Sequence, residues 1–108
     1  MLLKVELPNF DRTVDERGNE VVFYMVHVSL GRRKWSMAKR YNHFGELDTS
    51  LKVKYANLPK LPAKTYFKLK TDEQIEGRRV HLHNYLQDIV NRPDMRTNSA
   101  FRSFLEID

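Results

Sequence analysis

KRYNHFGELDTSL, residues 39 to 51, is where the chain changes its hydrophobic period. Phe44, Leu47 and Leu51, with Tyr55 beyond them, recur at three- and four-residue intervals, which predicts an amphipathic helix from about Asn42 to Tyr55. Upstream the pattern is that of strands. Residues 20 to 30, EVVFYMVHVSL, are dense in β-branched and aromatic side chains, the composition of a well-buried strand. Leu3, Val5 and Leu7 alternate with Leu2, Lys4 and Glu6, predicting a first strand that stops near Pro8. DERGN (15–19) reads as a turn, and Leu30-Gly31-Arg32 opens a tight connection into KWSMA, a third short strand. Strands joined by such short turns pair antiparallel, because parallel pairing needs longer crossovers.

Downstream the chain is helical. Pro59 and Pro62 end the first helix, and a second is expected from about Asp72 to Asn91, with Ile75, Leu82, Leu86 and Ile89 on one stripe and Pro93 beyond. A last short helix, capped by Asn98 or Ser99, would bury Phe101, Phe104 and Leu105. Sheet first and helices afterwards predicts an α+β fold. It is a three-stranded antiparallel sheet packed on a helical subdomain of three or so helices, with a proline-rich crossover between the first two. At 108 residues the expectation is one domain spanning 1–108.

Composition narrows the function. With 41% hydrophobic and 31% charged residues the chain reads as a folded globular domain, and no apolar run approaches the ~20 residues of a membrane span. MLLKVELPNF is too short in apolar residues for a signal peptide and holds Glu6. The closing FLEID falls where a domain of this kind ends, which leaves open that the chain is a piece of a longer protein. Cysteine is absent, so no disulfide, thiolate metal site or thiol nucleophile is available. The four glycines form no phosphate loop, and His81 and His83 fall on different helix faces and cannot share a metal. His27, within the strand stretch, reads as structural. No enzyme, cofactor or metal is expected.

The net charge of +5 is unevenly spread. Residues 4–20 are acid-rich, whereas GRRKWSMAKRY (31–41) and PKLPAKTYFKLK (59–70) carry only basic charges. Such stretches suit nucleic acid, an anionic membrane or an acidic protein, or are simply solvated surface. Nucleic acid is disfavoured, since no interleaved aromatic platform or reading helix accompanies them. Arg40 stands four residues before Phe44, at the start of the core stripe. It is either a snorkelling rim arginine or an anion ligand at a helix amino terminus, where free N–H groups and the dipole favour negative charge. Tyr41 either closes over a ring-shaped ligand or belongs to the core. Arg78 and Arg79 both fall at the edges of the second helix's apolar stripe, costly positions unless something anionic meets them. With Lys64 after the stiff prolines, these groups could converge on one small phosphorylated ligand.

At these residues the sequence resembles the PX (phox homology) family of phosphoinositide-binding domains, which includes sorting nexins. KRYNHFGELDTSL resembles the family's R-Y-x-x-F-x-x-L pattern, LPKLPAK (58–64) its PxxP loop with trailing lysine, and RRVHLHNYLQDIV (78–90) its second helix. The resemblance implies that Arg40 takes the 3-phosphate of an inositol headgroup and that Tyr41 floors the pocket. It implies that Lys64 meets the 1-phosphate and that Arg78, rather than Arg79, bonds the 4- and 5-hydroxyls. The ligand implied is phosphatidylinositol 3-phosphate, and the role implied is peripheral recruitment, from the cytoplasm, to early endosome-type membranes. Arg32, Arg33, Lys68 and Lys70 would supply non-specific attraction, while Tyr66, Phe67 and Leu69 enter the interface. Asn19 is polar where a family aromatic aids insertion, which puts insertion by the first hairpin in doubt. His43 reads as a solvent-facing helix residue, pH dependence being the alternative. The competing expectation is a protein–protein interaction domain with weak lipid binding, acting through the PxxP segment 59–62.

Overall fold

The alternation that begins at Leu3 does not stop at Pro8. In the computed structural model, which describes residues 2–63 and 71–107, strand β1 runs Leu3–Val14 and pairs antiparallel with β2, Glu20–Leu30. The ladder passes from Glu6 opposite His27 to Asn9 opposite Met25, so β1 carries one extra residue at Leu7-Pro8. A bulge of this kind tolerates a proline, which has no N–H to give to a ladder. It also resets the alternation: Leu7 is buried in line with Leu3 and Val5, and beyond the bulge Phe10, opposite Tyr24, turns inward in its place. The expected stop at Pro8 is therefore corrected to a bend.

Strand β3, Arg33–Lys39, pairs with the other side of β2, giving the order β1-β2-β3. The link between Leu30 and Arg33 is two residues long, and Gly31 takes φ 61° as its first residue. That is the type II′ pattern, in which glycine meets the left-handed requirement without a Cβ clash. One sheet face, with Val5, Leu7, Tyr24, Val26, Val28 and Met37, is buried against helices.

Helix α1 spans Tyr41–Leu51 and ends four residues sooner than the spacing predicts. Lys52 to Lys54 form a turn, and Tyr55 donates its N–H to the Leu51 carbonyl at 2.8 Å. Tyr55 still packs against the core, so the apolar spacing located its contact but not the backbone that delivers it. Helix α2, Asp72–Val90, starts with a capping box in which Thr71 accepts from the Gln74 N–H and the Gln74 side chain accepts from the Thr71 N–H. A single 3-10 turn, Met95–Thr97, leads to α3, Ser99–Leu105, capped by Asn98 accepting from the Phe101 N–H at 3.0 Å. Phe101, Phe104 and Leu105 are buried.

Helix α2 also closes the outer edge of β1. Arg79, His83 and Gln87, spaced one turn apart, reach the strand in succession. Arg79 Nη1 donates to the Leu7 carbonyl at 2.6 Å, His83 Nδ1 accepts the Leu7 N–H at 3.1 Å, and the Gln87 amide donates to the Val5 carbonyl. The backbone groups left unpaired at the bulge are thus met by a helix more than seventy residues later in the chain. Covering an edge this way also removes a template for unwanted strand pairing. Replacing Arg79 with alanine strips the Leu7 carbonyl of its donor and is expected to lower the free energy of unfolding by about 1–2 kcal/mol. Urea denaturation measures this; an unchanged midpoint would mean that the bond contributes nothing net.

Candidate functional site

Arg40 sits where β3 gives way to α1, with extended backbone at φ −90° and ψ 162°. The helix start is closed by backbone groups and one imidazole. Arg40's N–H donates to His43 Nδ1 at 3.0 Å, and His43's N–H donates to the Arg40 carbonyl at 3.0 Å. The Arg40 guanidinium is therefore not needed for the cap. It is exposed and has no hydrogen-bond or ion-pair partner among the described residues.

Tyr41, the first residue of α1, is half-buried and touches two other elements. Its hydroxyl donates to the Pro62 carbonyl at 2.5 Å, and the Arg78 guanidinium of α2 lies 4.3 Å from its ring centroid. A cation over an aromatic face at this range is an attractive arrangement. Arg78 Nη2 in turn donates to the Ala63 carbonyl at 3.2 Å. On the sheet side, burial raises the Tyr24 phenol above its ordinary range, and the neighbouring Arg78 charge opposes that rise. Arg78 is thereby held between α1, β2 and the crossover that follows α1.

The described part of that crossover, up to Ala63, is packed down. Leu58 and Leu61 lie against the core, and the Pro62 carbonyl is occupied by Tyr41. Its two carbonyl contacts, at Pro62 and Ala63, immediately precede Lys64. Lys64 itself, with Tyr66, Phe67, Lys68, Leu69 and Lys70, lies outside the described residues.

Of the remaining expected positions, Arg79 is paired bidentately with Glu76, at 2.6 and 2.7 Å, besides holding the Leu7 carbonyl. Two arginines that look equivalent on a helical wheel thus have different neighbours: Arg79 the bulge, Arg78 the tyrosine. Arg32 and Arg33 stand at the far end of β3. At ~3.3 Å per residue, the strand from Arg33 to Lys39 puts about 20 Å between that turn and Arg40. The antiparallel connection carries Arg32 and Arg33, expected to supply non-specific attraction, to the end of β3 away from Arg40.

Two features escaped the sequence reading. Asp48 is buried, only 6% exposed, yet it is fully engaged: its Oδ1 accepts the Tyr85 hydroxyl at 2.7 Å and its Oδ2 meets Lys52 Nζ at 2.7 Å. Burial first, and the Asp48 contact second, push the Tyr85 phenol well above its ordinary range. The signal for Asp48 was present, an acid one turn after Phe44 on the core stripe with a lysine one turn further on. The second is His43, which is exposed but not idle, since its ring accepts the Arg40 N–H.

A model of the PX domain family matches residues 27–108. The serine/threonine-protein kinase Sgk3 of Rattus norvegicus is 33% identical over 106 residues, covering 96% of this chain and 21% of the kinase. Sorting nexin-17 of Danio rerio is 30% identical over 101 residues, covering 92% of this chain and 20% of the nexin. The chain spans about a fifth of the length of these relatives. Among solved structures, a designed CISK-PX domain is 33% identical, covers 94% of this chain and 96% of that one, and superposes with a TM-score of 0.82. The mouse SNX19 PX domain shares the fold with a TM-score of 0.68 at 17% identity, covering 99% of this chain and 98% of that one.

Proposed function

The chain belongs to the PX domain family, lipid-binding modules that typically recognise phosphoinositides and target membranes; from that premise we propose that it binds phosphatidylinositol 3-phosphate and recruits the protein carrying it to early endosome-type membranes. The observation that carries the reading is the Arg78 guanidinium, stacked on Tyr41 and tethered to Ala63, while Arg40, next to Tyr41 in the chain, exposes a guanidinium with no partner among the described residues. A guanidinium has more donors than one carbonyl uses, so most of Arg78's remain for a ligand.

In this reading Arg40 forks onto the 3-phosphate and Tyr41 floors the pocket. Lys64 meets the 1-phosphate that joins headgroup to lipid, and Arg78 bonds the 4- and 5-hydroxyls. An arginine committed to two ring hydroxyls leaves no room for phosphates there, which favours the singly phosphorylated lipid. Tyr66, Phe67 and Leu69 enter the interfacial layer, while Lys68 and Lys70 add ~1 kcal/mol each near an anionic surface. Arg32 and Arg33, more than two Debye lengths away at physiological salt, add to overall attraction only.

The competing use of the PxxP segment as a ligand for another protein fits less well. Such ligands present an open extended strand to a groove, whereas here Leu58 and Leu61 are packed inward and the Pro62 carbonyl is taken.

Vesicle sedimentation with a panel of phosphoinositides tests the reading. Retention on vesicles with the 3-phosphate lipid is expected to exceed that on other anionic vesicles by at least about ten-fold, the effect of one specific charge-assisted contact. Equal retention on every anionic vesicle sinks the specificity. A Tyr66→Ala, Phe67→Ala variant is expected to lose vesicle binding while still binding a soluble headgroup; equal losses count against insertion.

A further inference from the structure

We propose that His43 is a positioning residue of this binding site, a neutral imidazole clamp that sets the backbone carrying Arg40 and Tyr41 and releases it on protonation. The inference rests on the headgroup reading above and adds to it a residue and a pH dependence.

Both polar groups of Arg40's backbone are bonded to His43. The Arg40 N–H donates to His43 Nδ1 at 3.0 Å, and the Arg40 carbonyl accepts the His43 N–H at 3.0 Å. The side chain that reaches back to the helix start from this position is usually Glu or Gln, which offers an oxygen. An imidazole can replace that oxygen only with Nδ1 unprotonated and its proton on Nε2. Arginine has no acceptor in its own side chain, so Arg40 cannot cap the helix by itself. The ring of His43 is the side chain that holds the strand-to-helix junction closed. That junction is one residue from Tyr41, whose ring supports Arg78.

The charged groups around His43 come from three places. Lys39 approaches from the end of β3, Arg40 from the junction, and Glu46 from the next turn of α1; α3 contributes Ser103 and Phe104, neither of which titrates in this range. Lys39 is drawn aside, its ammonium 4.9 Å from the Phe104 ring centroid. When His43 gains a proton, both ring nitrogens become donors and Nδ1 faces another donor. The Arg40 N–H loses its partner, and a positive charge stands at a helix amino terminus, where the dipole opposes it. The ring turns away, the junction loosens, and Arg40 is no longer presented in one orientation.

His43→Gln separates the two properties, because glutamine keeps an acceptor and gains no proton. Wild type, His43→Gln and His43→Ala are titrated with a soluble 3-phosphate inositol headgroup between about pH 7.5 and about pH 5.5, the range in which imidazoles change charge. A phosphate monoester takes up a proton in the same range, so His43→Gln reports the ligand's own share. Wild type is expected to lose about five-fold more affinity than His43→Gln across the range, and His43→Ala to be about five-fold weaker than wild type at neutral pH, the effect of one hydrogen bond. Parallel curves for wild type and His43→Gln overturn the proposal. So does a wild type that gains on His43→Gln in acid, which would make the imidazolium an added cation instead of a broken clamp.

The Arg40 amide resonance, followed over the same pH range without ligand, is expected to move in wild type and stay still in His43→Gln. Headgroup binding with an unmoved Arg40 amide overturns the clamp alone. A moving amide with no headgroup binding by any variant overturns the headgroup reading, and with it the ligand half of the proposal.

Discussion

Arg40→Ala is expected to weaken headgroup binding by at least about a hundred-fold while leaving the thermal unfolding midpoint where it is. The size follows from the contact proposed. A guanidinium forked onto a phosphate makes two charge-assisted hydrogen bonds, each contributing about 1.5–3 kcal/mol, and 1.4 kcal/mol is about ten-fold in affinity. The unchanged stability follows from the fold. Arg40 serves the start of α1 through its N–H and carbonyl alone, both of which alanine retains, and its guanidinium is exposed without a partner among the described residues. Calorimetric titration with a soluble headgroup and differential scanning give the two readouts. Binding within a few-fold of wild type would move the anion site elsewhere. A falling midpoint would show that the fold uses the side chain after all. Arg40→Lys refines the result: it keeps the charge and loses the fork, so it should bind, but well below wild type.

Phe44→Ala carries the largest expected cost to stability, about 3–5 kcal/mol, measured by urea denaturation. Phe44 is fully buried, and its ring meets Tyr24 edge-on at 6.3 Å and Phe104 at 5.2 Å. It therefore joins β2, α1 and α3, and alanine would leave a cavity facing all three elements. In a domain whose total stability is of the order of 5–15 kcal/mol, such a loss brings unfolding close to working temperatures. The same substitution at Val53, 89% exposed on the turn after α1, is expected to change stability by no more than about 0.5 kcal/mol. A loss at Phe44 below about 1 kcal/mol would mean that its neighbours collapse into the space, and that the three elements do not depend on the ring to hold their spacing.

Several site features were visible in the chain because they depend on neighbours a few residues away. Phe44, Leu47 and Leu51 announce a helix face, Asn98 announces the cap of α3, and the basic stretch before Phe44 marks the junction at Arg40. Pro8 was misleading for a physical reason. A missing N–H usually ends a strand's ladder, and nothing nearby shows that α2 will supply partners for Leu7 and Val5. The two arginines of α2 are similar: both lie at the edge of the apolar stripe, and only the family resemblance singled out Arg78.

What the sequence by itself determined is the order of periods, strand then helix, together with the turns and caps that punctuate it. Those depend on backbone sterics and on side chains within one or two turns, so each is legible in a short stretch, as the first helix is in residues 39–51. What only the tertiary structure decided is which polar group meets which. Asp48 finds Tyr85, His83 finds the bulge, and Arg78 comes to rest on Tyr41. Each pair is separated by more than thirty residues, and each bond is worth little in water. It becomes decisive only once packing has withdrawn the partners, wholly as for Asp48 and Tyr85 or in part as for the others, from solvent and brought them together.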